Sequence, residues 1–222
     1  MTQVAGTPDF SAMHLYSARM AVNPLRVQLF LAEKNVQIPE TTLDLLAGDH
    51  KSDAYRAIAP NMRVPALVLP NGAVLRESIA ICRYIEALVP EPPLFGVGAL
   101  EQALVEQWQR IMEFELMFPV AMAFRHGHPV AKALQEQIAD FGTQSRVGAV
   151  KRIALLDREM ADKQWIAGAN FSVADLTAFA TLRGFRFADF AIPEDHRNLT
   201  RWFAEVRARP AIAGLFASWG AK

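Results

Sequence analysis

Few residues of this chain combine a useful side chain with a position that can exploit it. Asn23 and Pro24 stand where "RMAVNPLRVQLFLAEK" turns from loop to helix, ahead of the apolar stripe Val27, Phe30 and Leu31. Asparagine is a strong N-cap and proline suits a first helical turn. The bare N–H groups of such a helix start can hold an anion, or can simply be satisfied by the cap. Glu77-Ser78 opens a second helix after the turn-forming pair Asn71-Gly72, and it offers the same choice between capping and anion binding. Cys82, the single cysteine, keeps helical spacing with Ile79 and Ile85 and reads as a small core residue. His126-Gly-His128 supplies two metal-ligand types without a third, so a loop is the better reading than a metal centre.

The elements that must carry these residues follow from patterning. "MHLYS" (13–17) reads as a strand, 35–45 contains a second extended stretch, and "DAYRAIA" (53–59) is a short helix. "VPALVLPNGAVLRES" (64–78) is two apolar runs joined by Asn-Gly, a hairpin signal, and "ESIAICRYIEALV" (77–89) is an amphipathic helix. The order is β-α-β-α-β-β-α. Proline-rich "PEPPLFG" marks a linker at 90–97, and beyond it only helical periodicity recurs. The expected organisation is a loose leader at 1–11, an α/β domain at 12–89, the linker at 90–97 and an all-helical domain at 98–222.

The totals narrow the function classes. Lys plus Arg and Asp plus Glu are both 23, giving a formal net charge of zero, without the basic footprint of a nucleic-acid binder. No stretch approaches the roughly 20 apolar residues of a membrane span. The start "MTQVAGTPDFSA" lacks the basic and apolar regions of a signal peptide. One cysteine excludes an internal disulfide framework, and a cytoplasmic location is expected.

From about Met13 to Trp219 the order and spacing of motifs resembles the cytosolic glutathione transferases, with a thioredoxin-like N-terminal domain and an all-α C-terminal domain. "RVPAL", the hairpin and "ES" carry most of the resemblance. It implies a cis peptide at Pro65 and backbone pairing of the glutathione cysteinyl group with Val64. It further implies that Ser78 binds the γ-glutamyl carboxylate and Glu77 the ammonium. Lys51 or His50 would hold the glycyl carboxylate, against the plain alternative of a solvated loop. Ser172-Val-Ala-Asp175 resembles the family's capping box in the helical domain, a structural motif. Met62 replaces a glycine usual before Val-Pro, so an altered turn into Val64 is expected.

Glutathione chemistry needs a thiolate, and many family members place a tyrosine, serine or cysteine donor at the first helix. Here the usual serine or cysteine positions hold Ala21 and Val22. Asn23 matches an asparagine of bacterial nu-like members and can donate from its amide; Ser17 is the second candidate and Tyr16 the third. Arg19 either lines the mouth or is solvated. Phe114, Phe118 and Met122 are nominated to border a small hydrophobic electrophile between the domains. The resemblance implies a homodimer, glutathione as cosubstrate and no permanently bound cofactor or metal. Two alternatives to transfer stay open: glutathione-dependent disulfide or peroxide reduction, and a non-catalytic glutathione-binding or interaction module.

Overall fold

The computed structural model describes residues 8–19, 21–133, 135–185 and 190–220. Most of the expected leader therefore lies outside the described residues, as do the last two residues of the helical domain. What is described of the leader runs into a short turn, Phe10–Ala12, where the Asp9 carboxylate accepts the Ser11 N–H at 3.0 Å. Contacts divide the chain into two compact units, Met1–Pro92 and Pro93–Lys222.

The first unit has the expected β-α-β-α-β-β-α order: β1 (His14–Ser17), α1 (Val22–Glu33), β2 (Glu40–Thr42), α2 (Asp53–Ile58), β3 (Ala66–Val68), β4 (Val74–Arg76) and α3 (Ser78–Leu88). The sheet order is β2-β1-β3-β4, with β1 parallel to β2 and the other pairs antiparallel. Asn71-Gly72 closes the hairpin as its composition predicts. Gly72 takes φ +81° and donates to the Leu69 carbonyl, while the Asn71 side chain accepts the Ala73 N–H. Leu15, Leu25, Leu29, Phe30, Leu67, Ile81, Cys82 and Ile85 are fully buried; Tyr55, Ala59 and Ala66 make a second cluster with Tyr16, Leu43, Val64 and Val74 against it. Cys82 is thus core material, as its spacing suggests.

Two charged residues are also buried here. Lys34, at the end of α1, is 4% exposed. Its ammonium donates to the carbonyls of Val89, Pro90 and Pro92 and stands beside the Glu86 carboxylate. These carbonyls follow α3, and one side chain satisfies all three. Arg26, at 2% exposed, is taken up below.

The second unit comprises α4 (Gly98–Ile111), a π turn (Met112–Met117), α5 (Phe118–Gly127), α6 (Ala139–Glu159), α7 (Val173–Gly184), α8 (Arg197–Ala208) and α9 (Pro210–Ser218). Sequence periodicity shows one helix across 98–118; the π turn interrupts it. The reason is Pro119: in an α ladder its ring meets the carbonyl four residues back and it brings no N–H. The wider turn, with the Phe118 N–H on the Glu113 carbonyl, absorbs the misfit. Helix α7 is buried nearly along its whole length. Its start carries the expected capping box, and Asp175 accepts from the Ile166 and Ser172 N–H groups, the Ser172 hydroxyl and the Trp202 indole. In α6, a Cβ on Gly142 would stand 2.8 Å from the main-chain carbon of His126, so α5 and α6 meet backbone to backbone.

Candidate glutathione site

The start of α1 differs from its sequence reading. The N-cap is Ala21, with extended backbone and no side-chain cap, while Asn23 and Pro24 are the second and third residues of the helix. Pro24 has no N–H, and Leu25 donates to the Ala21 carbonyl at 2.9 Å. The N–H groups of Val22 and Asn23 are therefore the donors that no intrahelical carbonyl can reach. Asn23 is exposed, and its side-chain oxygen accepts from Arg26 Nη2 at 2.8 Å. A guanidinium has no acceptor, so it can face only the oxygen of the amide. The NH₂ end of Asn23 is accordingly turned away from Arg26, free to donate elsewhere.

The two other candidates near this helix start are packed against the fold. Ser17, at the end of β1, is 0% exposed and accepts from Gln28 Nε2 at 2.9 Å, the same nitrogen that reaches Glu40. A hydroxyl with no accessible surface does not meet a ligand arriving from solvent. Tyr16 is a packing residue: its ring lies 5.5 Å from that of Tyr55 and 4.9 Å from that of His14. Arg19 is exposed.

The Val64–Pro65 bond is cis, as the resemblance implies. The β3 ladder begins at Ala66, which leaves the Val64 main chain outside it. Tyr55 holds the approach from below, donating its hydroxyl to the Arg63 carbonyl at 2.7 Å; burial pushes that phenol up to about 12. Met62 stands at φ +53°, so the turn keeps a left-handed residue in spite of the side chain. Such a residue costs about 1–2 kcal/mol when it is not glycine, and glycine returns part of that as unfolded-chain entropy. Met62→Gly is expected to hold or raise the unfolding free energy, by up to about 1 kcal/mol, read from the denaturant midpoint; a clear loss of stability would count against strain at this position.

Glu77 and Ser78 are brought together as expected, but not as caps. Glu77 occupies φ +73°, ψ +115°, and neither residue makes a side-chain cap. A non-glycine residue held in so sparse a region marks a position the surrounding fold over-determines, and such positions cluster at ligand sites. The Glu77 side chain is exposed, whereas Ser78 is 3% exposed and its oxygen accepts from Arg26 Nη2 at 2.6 Å. Lys51 and His50 share the turn Asp49–Lys51, with Lys51 exposed and His50 half-buried. Burial, with Lys51 beside it, holds the His50 imidazole below its ordinary value, which leaves Lys51 as the better cation of the pair at neutral pH.

In the helical unit, Phe114 on the π turn is 65% exposed and Phe118 on α5 is 51% exposed, with Met122 half-buried one turn on. His126 and His128 end α5 rather than forming a free loop. His126 Nδ1 accepts the Ile138 N–H at 3.0 Å, and its Nε2 lies 2.9 Å from the Gln135 side-chain amide. No cluster of three or more His, Cys, Asp or Glu side chains suited to a metal exists among the described residues. Sequence reasoning missed Arg26. Its signal was present: it lies three residues after Asn23, hence on the same helix face, amid Leu25, Val27 and Leu29.

Comparison with known proteins agrees with this fold. Residues 11–87 match the model of the glutathione S-transferase N-terminal domain, and residues 143–210 that of the C-terminal domain. Glutathione S-transferase 2 of Saccharomyces cerevisiae is 30% identical over 207 residues, covering 91% of this chain and 89% of its own. A glutathione S-transferase domain-containing protein of Marinobacter aquaeolei VT8 superposes with a TM-score of 0.85 at 32% identity, over 90% of this chain and 99% of that one. Gtt2 of Saccharomyces cerevisiae also gives a TM-score of 0.85, at 29% identity over 91% and 99% of the two chains. With two matching domain models, a curated relative along nearly the whole chain and the same fold in solved relatives, the chain belongs to the glutathione S-transferase family.

Proposed function

We propose that this chain is a glutathione transferase that ionises the glutathione thiol at the start of α1 and directs it at a small hydrophobic electrophile. The observation that carries the proposal is the orientation of Asn23. Arg26 holds its oxygen, and its NH₂ group stands beside the uncapped start of α1. A free thiol has a pKa of about 8.5, so ionisation at neutral pH requires a lowering of one to two units, about 1.4–2.7 kcal/mol. A helix start supplies about 0.3–1 kcal/mol, and one hydrogen bond to a charged acceptor about 1.5–3 kcal/mol. Dipole and amide together suffice. The thiolate then forms a C–S bond with the electrophile, whose leaving group departs with its electron pair.

The remaining contacts follow the same logic. Ser78 accepts from Arg26 and so presents its hydroxyl proton to the γ-glutamyl carboxylate. The Glu77 carboxylate takes the ammonium, the Val64 main chain pairs with the cysteinyl group behind cis-Pro65, and Lys51 takes the glycyl carboxylate. Phe114, Phe118 and Met122 supply apolar surface suited to the electrophile. Glutathione is the cosubstrate, a homodimer is the expected assembly and the cytoplasm the expected location.

The test is a titration of the thiolate absorbance of bound glutathione, at saturation, in wild type and Asn23→Ala. The variant is expected to bind glutathione with an apparent thiol pKa about one unit or more higher, the loss of one charge-assisted bond. An unchanged pKa would remove Asn23 from the chemistry. Reduction is the second reading, favoured by the nu-like asparagine at Asn23; Ala21 and Val22, which offer no serine or cysteine donor, instead support a non-catalytic module. Turnover of a mixed disulfide or hydroperoxide, against none of an aryl halide, would select it. Binding without turnover on either would select the non-catalytic module.

A further inference from the structure

One nitrogen of Arg26 serves both ends of the candidate site. Nη2 carries two hydrogens, and it lies 2.8 Å from the Asn23 amide oxygen and 2.6 Å from the Ser78 hydroxyl oxygen. Those oxygens belong to residues of α1 and α3 more than fifty positions apart in sequence, yet they stand within two hydrogen-bond lengths of each other. Arg26 is 2% exposed and Ser78 is 3% exposed, so water does not compete for the bond between them, while the bond to the exposed Asn23 is part-buried. Because a guanidinium only donates, both oxygens are committed as acceptors. With those oxygens turned to Arg26, the hydrogens of Asn23 and Ser78 are left for a ligand: the amide NH₂ at one end, the hydroxyl proton at the other. Each is a donor with a buried positive charge one bond behind it, and such a donor is matched to an anion.

We propose that Arg26 is a positioning residue that turns Asn23 and Ser78 into donors for two anionic groups of one ligand, the thiolate and the γ-glutamyl carboxylate. This rests on the assignment of those two groups made above, and extends it to a residue that touches neither. The consequence is coupling. Loss of Arg26 lets the Asn23 amide turn over and lets the Ser78 hydroxyl point its proton inward, so carboxylate grip and thiol ionisation fail together.

The experiment compares wild type with Arg26→Met and Arg26→Lys, each checked for a cooperative thermal transition. Affinity for S-methylglutathione reads the carboxylate grip without a thiol, and thiolate absorbance of saturating glutathione at fixed pH reads ionisation. In Arg26→Met both are expected to fall about tenfold, the scale of one lost hydrogen bond to a charged group. Arg26→Lys, which keeps charge and donors without the fork, recovers part of both. A packing role would lower the melting temperature and leave both readings in the folded fraction unchanged. That result, or a fall in only one reading, would overturn the proposal.

Should Arg26→Met fail to fold, Asn23→Asp decides. It keeps an oxygen toward Arg26 and sets a second oxygen where the NH₂ stood. The expected result is stability at or above that of Asn23→Ala with less thiolate than in Asn23→Ala; the reverse order of either would overturn the proposal. Wild type that neither binds S-methylglutathione nor ionises glutathione would instead remove the functional reading, and the proposal with it. Wild type that does both, beside indifferent Arg26 variants, removes the proposal alone.

Discussion

Replacing Asp175 with alanine is expected to cost about 4 kcal/mol or more, about one for each donor left facing an empty place. Four groups converge on this carboxylate: the N–H of Ile166, the N–H and hydroxyl of Ser172, and the Trp202 indole. Asp175 and Trp202 are both 0% exposed, so water does not replace the lost acceptor. The variant should show a urea midpoint far below that of wild type, or unfold at ordinary temperatures, since total stability is only about 5–15 kcal/mol. A loss under about 1 kcal/mol would mean that the four donors find other partners.

The same residue gives stability a pH dependence of unusual sign. Burial raises the Asp175 carboxyl from an ordinary 3.8 to about 6, against the pull of its hydrogen bonds. Between those values the folded protein keeps a proton that the unfolded chain has released. This group therefore makes stability fall as pH rises through the window from about 4 to about 6, by on the order of 2–3 kcal/mol, and adds no slope above it. Asp175→Asn removes the titration. The difference in unfolding free energy between wild type and that variant is expected to shrink or invert across the window and stay flat beyond it. A difference independent of pH would show the carboxylate ionised throughout.

Replacing Lys34 with methionine should cost about 3–5 kcal/mol, the range for breaking a buried ion pair by removing one partner. The methionine fills the space beside Phe30, whose ring lies 5.5 Å from the ammonium. What is lost is the donor for the carbonyls of Val89, Pro90 and Pro92, and the charge opposite Glu86. Equilibrium unfolding in urea checks this, with the midpoint shifted and the slope unchanged. Pairing Lys34→Met with Glu86→Leu should recover part of the loss, because the orphaned carboxylate goes with its partner.

The fold was legible because its signals are local. Asn71-Gly72 closes a hairpin, the apolar pattern of 78–88 makes α3, and Ser172 and Asp175 open α7. Of the candidate site, the motifs made legible the cis bond at Val64-Pro65 and the start of α3 at Glu77-Ser78. Burial was not legible. Ser17 reads as a loop hydroxyl, yet it lies inside the sheet on Gln28. Asn23 reads as a cap, yet the helix begins two residues earlier. Arg26 and Lys34 are both covered; the apolar neighbours Leu25, Val27 and Leu29 hint at this for Arg26, but nothing local identifies the partner of either. A side chain whose partner lies more than fifty positions away leaves no trace in a window of ten. The π turn was missed for a related reason: Pro119 gives the cause, but whether the chain stops or widens there depends on what packs around it.

The backbone contact at Gly142 bears on how freely this chain can vary through descent. Where side chains separate two helices, a lineage can trade one residue for another and compensate across the gap. Between α5 and α6 the spacing is set by main chain against main chain, with a 2.8 Å approach awaiting any added carbon. There is no smaller residue to retreat to, and no side chain opposite that can shrink in exchange. The surface of this helix pair is open to drift, while its separation is inherited whole.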